Sequence, residues 1–444
     1  MKATSPARFW DDYGMVVALA LLCGYYSWAT WSEQQPTGSA AGEQLAAQII
    51  GQHPRGTRVL IVARAVAEDA EFARVLADRV VWHGLVVVET VRGEPADARA
   101  ALERMTAAGD AGTLGVIACS HVTGTWTVFE DLPAKFSALR TAQVLTPHRY
   151  RWPNFLKLDN LRNVANQIAV IAILAIGMTM VIIAGGIDLS VGSLIALAAV
   201  VATLAIRDLA GGERASAPAM VLCGAGAVAL CGLMGLVSGL WVTWAGIPAF
   251  IVTLAMMLVA SGLAFIFAQG QSIYQVPDSF VWLGRGSVAG LPNAVWLMFA
   301  LYALAHLVMT RLVLGRHVYA VGGNAEAARL SGVPVGRVRT LTYVVSGALA
   351  GLGGLLLASQ LKSGAPTYGQ MYELYVIAAV VVGGTSLAGG RGTVLGTLIG
   401  AFIIAVIQNG MNLTNVESYT QKVVLGLVIL GAVLLDLLKR RRRR

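Results

Sequence analysis

One carboxylate stands between two long apolar runs. Asp188 lies in the stretch Gly185-Gly186-Ile187-Asp188-Leu189-Ser190-Val191-Gly192-Ser193, between residues 168–184 and 194–206. An ionisable side chain among apolar spans marks a solute or proton path by default. Aspartate is also a favoured helix N-cap, so a turn that starts the next helix is the competing chemistry. The glycines predict irregular backbone, which survives at membrane depth only where protein or a water-filled cavity shelters it. Gly185, Gly186, Asp188 and Ser190 are therefore read as a helix break or gate. Gly185-Gly186-x-x-Leu189-x-x-Gly192 has an echo in Gly383-Gly384-x-x-Leu387-x-x-Gly390, which adds Gly383 and Gly384. Transporters are often built from duplicated halves; in a chain with 50 glycines, chance also produces such a match.

Other polar groups sit near the ends of apolar runs. Asn166 and Gln167 lie at one, Gln408 and Asn409 at another, and these four are the candidate solute path. Amides also join helices to one another, so a packing role is open. Residues 314–334 are too polar to span. Within them Gly322 and Gly323 precede Asn324, which can cap a short helix 325–330 carrying Glu326, Ala328, Arg329 and Leu330. Ser331 follows, and Gly332 with Pro334 stops the helix. A short amphipathic helix across a loop serves to dock a partner protein or lies as an interfacial linker. His306 stands in an apolar run with no ligand spacing around it, and no metal site is expected. No G-x-x-x-x-G-K-[ST] phosphate loop, nucleophile elbow, zinc motif or dinucleotide fingerprint is present. The chain is therefore expected to be no enzyme and to hold no cofactor of its own.

The elements that must position these groups are membrane helices. Hydrophobic residues make up 56% of the 444 and charged residues only 13%, about half the usual share for a soluble domain. The expected fold is an all-α polytopic membrane protein of about ten transmembrane helices with a small extracytoplasmic α/β insert. The spans are 15–31, 162–183, 187–206, 218–238, 249–268, 294–312, 339–358, 374–388, 393–411 and 420–438. Residues 1–32 hold the cytoplasmic N-terminus and first span, 33–150 the insert, 151–438 the membrane domain and 439–444 a basic cytoplasmic tail. An even number of spans puts both termini on one side. Positive residues number 14 on the proposed cytoplasmic side, Lys2, Arg8, Arg311 and the 439–444 run among them, against 8 on the other. That is the direction the positive-inside rule requires. The net charge of +9 is thus a topology feature rather than a nucleic-acid footprint.

The insert differs in kind. Apolar runs 58–63, 85–90 and 114–118 read as buried strands, and 68–82 and 95–105 show helical spacing. Residues 44–51 add a lead-in helix, and 125–142 is ambiguous. The order β-α-β-α-β predicts a parallel sheet with right-handed crossovers. Cys119 is the insert's lone cysteine, so it closes no internal disulfide.

Several motifs in order now carry a likeness. They are Pro153-Asn154-Phe155-Leu156-Lys157-Leu158-Asp159-Asn160-Leu161, Leu174-Ala175-Ile176-Gly177-Met178-Thr179 and the 185–193 break. Gly322-Gly323-Asn324 with Ala328-Arg329-Leu330-Ser331-Gly332, then Tyr372-Glu373-Leu374 and 383–392, continue it. Together they resemble the permease subunits of bacterial ABC importers for simple sugars, the family of ribose, xylose, arabinose, galactose and autoinducer-2 permeases. The resemblance implies a translocation path for a monosaccharide-type solute through the inner membrane. It implies a homodimeric or paired permease, and so a second permease copy, a separate cytoplasmic ATPase carrying ATP and Mg, and usually an extracytoplasmic sugar-binding protein. The 314–334 segment then looks like the helix that docks in the ATPase. The 33–150 insert departs from the family pattern and resembles one lobe of a sugar-binding protein. A membrane sensor and a proton-coupled secondary transporter are the alternatives.

Overall fold

The computed structural model describes the backbone of residues 6–108 and 113–443 and the side chains of residues 14–108 and 113–434. Lys2 and the side chains of Arg8 and of the basic run 439–444 lie outside the described residues. The chain divides into two compact units, one of residues 31–153 and one of residues 1–30 with 154–444. Helix α1 covers Pro6–Ala29. Beyond it, Thr30 bonds back to the Tyr26 carbonyl at 2.6 Å and accepts the Phe155 N–H at 3.1 Å.

The 31–153 unit runs β1 (Trp31–Gln34), α2 (Gly38–Gln52), β2 (Arg58–Ala63), α3 (Ala67–Trp82), β3 (Val86–Arg92), α4 (Pro95–Ala107), β4 (Leu114–Cys119), α5 (Leu132–Lys135), β5 (Gln143–Leu145) and β6 (Tyr150–Pro153). Four strands form a parallel sheet in the order β3-β2-β4-β5. Successive side chains of a strand point to opposite faces, and here both faces are covered. Val59 and Ile61 meet Leu45, Ile49, Phe72 and Leu76 of α2 and α3. Leu60 and Val62 meet Leu102 of α4 with Phe129 and Leu139. Double coverage explains why 58–63 reads as an unbroken apolar run rather than an alternation. Helix α4 starts with a capping box between Glu94 and Asp97 and has Pro95 in its first turn. β5 and the antiparallel pair β1–β6 were not expected from the pattern. Each has at most four residues, too few to show periodicity.

The second unit continues with α6 (Leu158–Ile183), α7 (Val191–Asp208), α8 (Ala217–Trp244), α9 (Ala249–Ala268), α10 (Trp282–Arg285), α11 (Asn293–Arg311), α12 (Val313–Gly323), α13 (Ala325–Leu330), α14 (Val335–Leu361), α15 (Tyr372–Val382), α16 (Val394–Leu413) and α17 (Ser418–Arg443). Among the described residues, seven helices are long and apolar enough to cross a membrane: α6, α7, α8, α9, α11, α14 and α16. The remaining expected spans fall on shorter apolar helices, 14–29, 372–382 and 418–434. The chain is a mostly helical multi-pass membrane protein.

Helix α6 occupies the centre of its bundle. In its most apolar window 89% of residues are buried, against 28% in α8 and in α9. Apolar residues exposed on α8 and α9, such as Leu222, Leu258 and Ile266, are what a lipid-facing helix presents. Helix α14 packs closely on three neighbours. A Cβ on Gly177 of α6 would stand 2.6 Å from the Ser346 Cα, and one on Gly239 of α8 would stand 2.7 Å from the Thr340 Cα. A Cβ on Gly354 would stand 2.9 Å from the Ala198 Cβ of α7. Only glycine permits such approaches, and small residues are how membrane helices gain van der Waals contact where no hydrophobic drive remains.

Two expected boundaries shift. The 374–388 span ends at Val382 because Gly383 and Gly384 cap it, and the 187–206 span begins as helix only at Val191. The segment before α15 is irregular yet sheltered. Gly364 lies against the Ala199 carbonyl and Gly369 against Ile195, so the chain descends along α7 before α15 starts. That is the situation in which membrane backbone can forgo helix.

Candidate functional site at the two helix breaks

The glycine-rich break after α6 is a Schellman cap. Gly185 has φ +82°, its N–H bonds the Ile182 carbonyl at 3.0 Å, and the Gly186 N–H bonds Val181 at 2.9 Å. The break after α15 repeats this. Gly384 has φ +81°, its N–H bonds Val381 at 2.9 Å, and Thr385 N–H bonds Val380 at 3.1 Å. The conformational partner of Gly185 is therefore Gly384, one residue beyond the Gly383 that sequence matching aligns with it. Helix α13 ends in a third such cap, with Gly332 at φ +82° and Val333 N–H on the Ala328 carbonyl at 3.0 Å.

The two breaks meet each other and the end of α12. The Gly390 N–H donates to the Ile183 carbonyl at 2.9 Å, one of the carbonyls left open at the α6 C-terminus. Gly322 fills the remaining space: a Cβ there would overlap the Ile183 oxygen and stand 2.6 Å from the Gly390 nitrogen. A Cβ on Gly390 would stand 2.8 Å from the Gly323 Cα. Tyr319 Oη donates to the Gly392 carbonyl at 2.8 Å, fixing α12 to the second break. Three segments far apart in sequence thus touch backbone to backbone. In the sequence Gly322 is part of a polar loop, and spacing carries no sign of this closeness. Helix α12, whose 11 residues precede the expected short helix, is likewise not expected from the sequence.

Asp188 is buried with 1% of its surface exposed. One carboxylate oxygen accepts from the Ser190 N–H at 3.0 Å and Ser190 Oγ at 2.6 Å; the other accepts from Ser346 Oγ at 2.8 Å. The bond to Ser346 joins the break to the middle of α14. The turn-forming bond to Ser190 starts α7, in the manner of an Asx turn.

The helix expected at 325–330 is present as α13. The Asn324 side chain accepts the Ala327 N–H at 3.0 Å. Ala328 faces inward, while Glu326 and Arg329 pair at 2.6 Å in solvent. Leu330 is 80% exposed, and Ser331 and Gly332 are exposed beside it.

The four path candidates do not converge. Asn409 and Asn160 exchange two amide hydrogen bonds, at 2.8 and 3.0 Å, which joins α16 to α6. Asn166 reaches the Gly284 carbonyl at 3.5 Å, with its Oδ1 buried and unpartnered. Gln167 is exposed and Gln408 half-buried. In the 31–153 unit, Asp69 is buried at the carboxyl ends of β2 and β4. It accepts from the Arg64 N–H, the Arg64 guanidinium and Ser120 Oγ. Burial pushes its pKa up, but these bonds outweigh it and hold the carboxyl below the usual range. Among the described residues, no group of three or more His, Cys, Asp or Glu could hold a metal ion.

Residues 160–433 match the family model described as "Branched-chain amino acid transport system / permease component". The ribose import permease protein RbsC of Escherichia coli K12 is 44% identical over 288 residues, covering 64% of this chain and 87% of that protein. RbsC of Bacillus subtilis is 42% identical over 286 residues, covering 64% and 86%. The L-arabinose ABC transporter permease protein AraH of Azospirillum brasilense is 37% identical over 292 residues, covering 66% and 84%. No solved structure matches the chain. With more than half of the chain inside the family model and the relatives covered over most of their length, the chain belongs to this family of transport-system permease components.

Proposed function

We propose that this chain is the membrane permease subunit of an ABC importer for a monosaccharide of the pentose type, with ATP and Mg held and hydrolysed by a separate cytoplasmic subunit. The observation that carries the reading is the 44% identity to a ribose import permease over 87% of that protein's length. The capped helix α13, with Leu330 exposed, is the part that docks on the ATPase. The end of α12, directly before it in the chain, touches both breaks through Gly322, which gives the docking helix a mechanical connection to α6 and α15. Such a connection is what ATP-driven alternation between two states requires. The chain works as a pair with a second copy, in the inner membrane, with ten spans and both termini cytoplasmic. The 31–153 unit then lies outside the cytoplasm and meets an extracytoplasmic sugar-binding protein or the solute.

Reconstitution tests the function. The permease, its ATPase and a cognate binding protein in proteoliposomes should take up labelled ribose or arabinose only with ATP and Mg. Uptake of neither, with ATPase activity indifferent to both, overturns the reading. Orientation is tested by an impermeant maleimide on intact spheroplasts. It should label Gly51→Cys, on the exposed end of α2, and spare Leu330→Cys. The reverse pattern refutes the topology.

A further inference from the structure

A cavity of about 370 Å³ opens beside the first break, between the end of α6, the α8–α9 connection and the first turns of α14. The beginnings of two helices face it. Pro248 and Ala249 start α9, and Val335 and Gly336 start α14; neither helix has a side-chain cap. Helix N-termini present free N–H groups and a partial positive charge.

Two side chains in the lining point to what the cavity takes. Tyr343 is 2% exposed, and its Oη is buried without a hydrogen-bond partner. Arg339 lines the same space; its Nε is also buried and unpartnered, and among the described residues it forms no ion pair. An unpaired buried polar atom is costly, and a guanidinium N–H can only donate. Arg339 is the one charged residue in the lining. The carboxylate of Asp188 lies outside the lining with its oxygens engaged by Ser190 and Ser346. The opposing α6 C-terminus has its carbonyls of Val181 and Ile182 already closed by Gly186 and Gly185. The lining therefore offers donors and a positive charge but no carboxylate; its acceptors are backbone carbonyls at the ends of α6 and α8 and the hydroxyls of Thr243 and Thr342, which themselves donate to the Gly239 and Arg339 carbonyls.

We propose that this cavity binds a phosphate-type oxyanion, held by Arg339 and Tyr343 at the junction of the α6 break with the start of α14. Two sources carry that chemistry, a lipid headgroup and a soluble phosphate. Trp241, Trp244, Phe250 and Ile251 are exposed on the adjoining ends of α8 and α9. Their apolar surface suits acyl chains, and tryptophan favours the headgroup level of a bilayer. Occupancy braces the break against α14, and basic pockets between membrane helices are known to take anionic headgroups.

The test uses the full-length chain, delipidated in detergent, with thermal unfolding followed against added phosphatidylglycerol, inorganic phosphate, or diacylglycerol of the same acyl chains. Phosphatidylglycerol, phosphate or both should raise the unfolding midpoint, and diacylglycerol should not. Stabilisation by phosphatidylglycerol alone assigns the lipid as source; stabilisation by inorganic phosphate assigns the soluble anion. Arg339→Gln should weaken the apparent affinity about tenfold or more. Tyr343→Phe, which removes one hydroxyl, should weaken it by about threefold or more and carries the test if Arg339→Gln does not fold. Diacylglycerol matching phosphatidylglycerol, no response to either phosphate source, or responses unchanged in the variants would overturn the proposal.

Discussion

Gly322→Ala and Gly323→Ala are adjacent, chemically identical changes with opposite expected outcomes. At Gly322 the added methyl would overlap the Ile183 oxygen and crowd the Gly390 nitrogen, both backbone atoms that cannot rotate away. Forcing the segments apart costs about 1–3 kcal/mol in overpacking. Loss of the 2.9 Å bond from Gly390 N–H to Ile183, in a buried place, adds about 1–3 kcal/mol. At Gly323 nothing lies within 4 Å of the new methyl. Alanine is the better helix former there, by up to about 1 kcal/mol. The pair should thus differ by at least about 2 kcal/mol, or several degrees in Tm. A thiol-reactive dye reports the unfolding, because Cys231 is fully buried in the folded chain. Gly322→Ala should also lower coupled uptake per folded molecule, whereas Gly323→Ala should leave it near wild type. Equal Tm and equal uptake for the two variants would refute the three-segment junction.

Asp188→Ala removes the acceptor for Ser190 and Ser346 and should cost about 1–3 kcal/mol, read as a lower Tm, with Ser346→Ala showing a smaller loss. Asn409→Leu leaves the Asn160 Oδ1 without its donor, while Asn160 Nδ2 keeps the Phe155 carbonyl, and should destabilise by about 1–3 kcal/mol; Asn160→Leu with Asn409→Leu recovers part of that. Uptake that fails in the stable double variant would return Asn409 to the solute path. For Asp69 the folded pKa lies below the unfolded one. Its stabilisation is therefore full above the ordinary carboxyl range, near pH ~4, and is lost as pH falls through the folded pKa. Hydrogen exchange in β2 and β4 should rise on acidification in the wild type and be high but less pH-dependent in Asp69→Asn; parallel profiles would contradict the assignment.

What the sequence reveals depends on whether the signal is local. Asn324 before Ala325–Leu330 and Gly332 after it are local chemistry, and the helix is found between them. The apolar runs of β2, α6 and α14 are local too. Close approach is not. Gly322 and Gly323 look alike in sequence, and only the fold shows that a methyl on one would strike two other segments while a methyl on the other would meet nothing within 4 Å. The glycine repeat is legible as a pattern but misaligned by one residue. A Schellman cap needs its left-handed residue at C′, which Gly185 and Gly384 supply, while Gly383 is the cap before it. The solute path is the least legible part. Nothing in the sequence tells that the Asn409 amide exchanges hydrogen bonds with Asn160, 249 positions away.

The junction of Gly322, Gly390 and Ile183 also bears on how substitutions combine. Side-chain contacts leave rotamers free to absorb a neighbour's change; carbonyl against amide against Cα leaves none. Once one of these positions acquires a methyl and the segments part, the space restriction at the others is relieved. A second methyl should then cost much less than it does alone. Tolerance at Gly322 thus depends on the residue present at Gly390, and the converse holds, so single-substitution scans would overstate how many independent constraints the joint imposes.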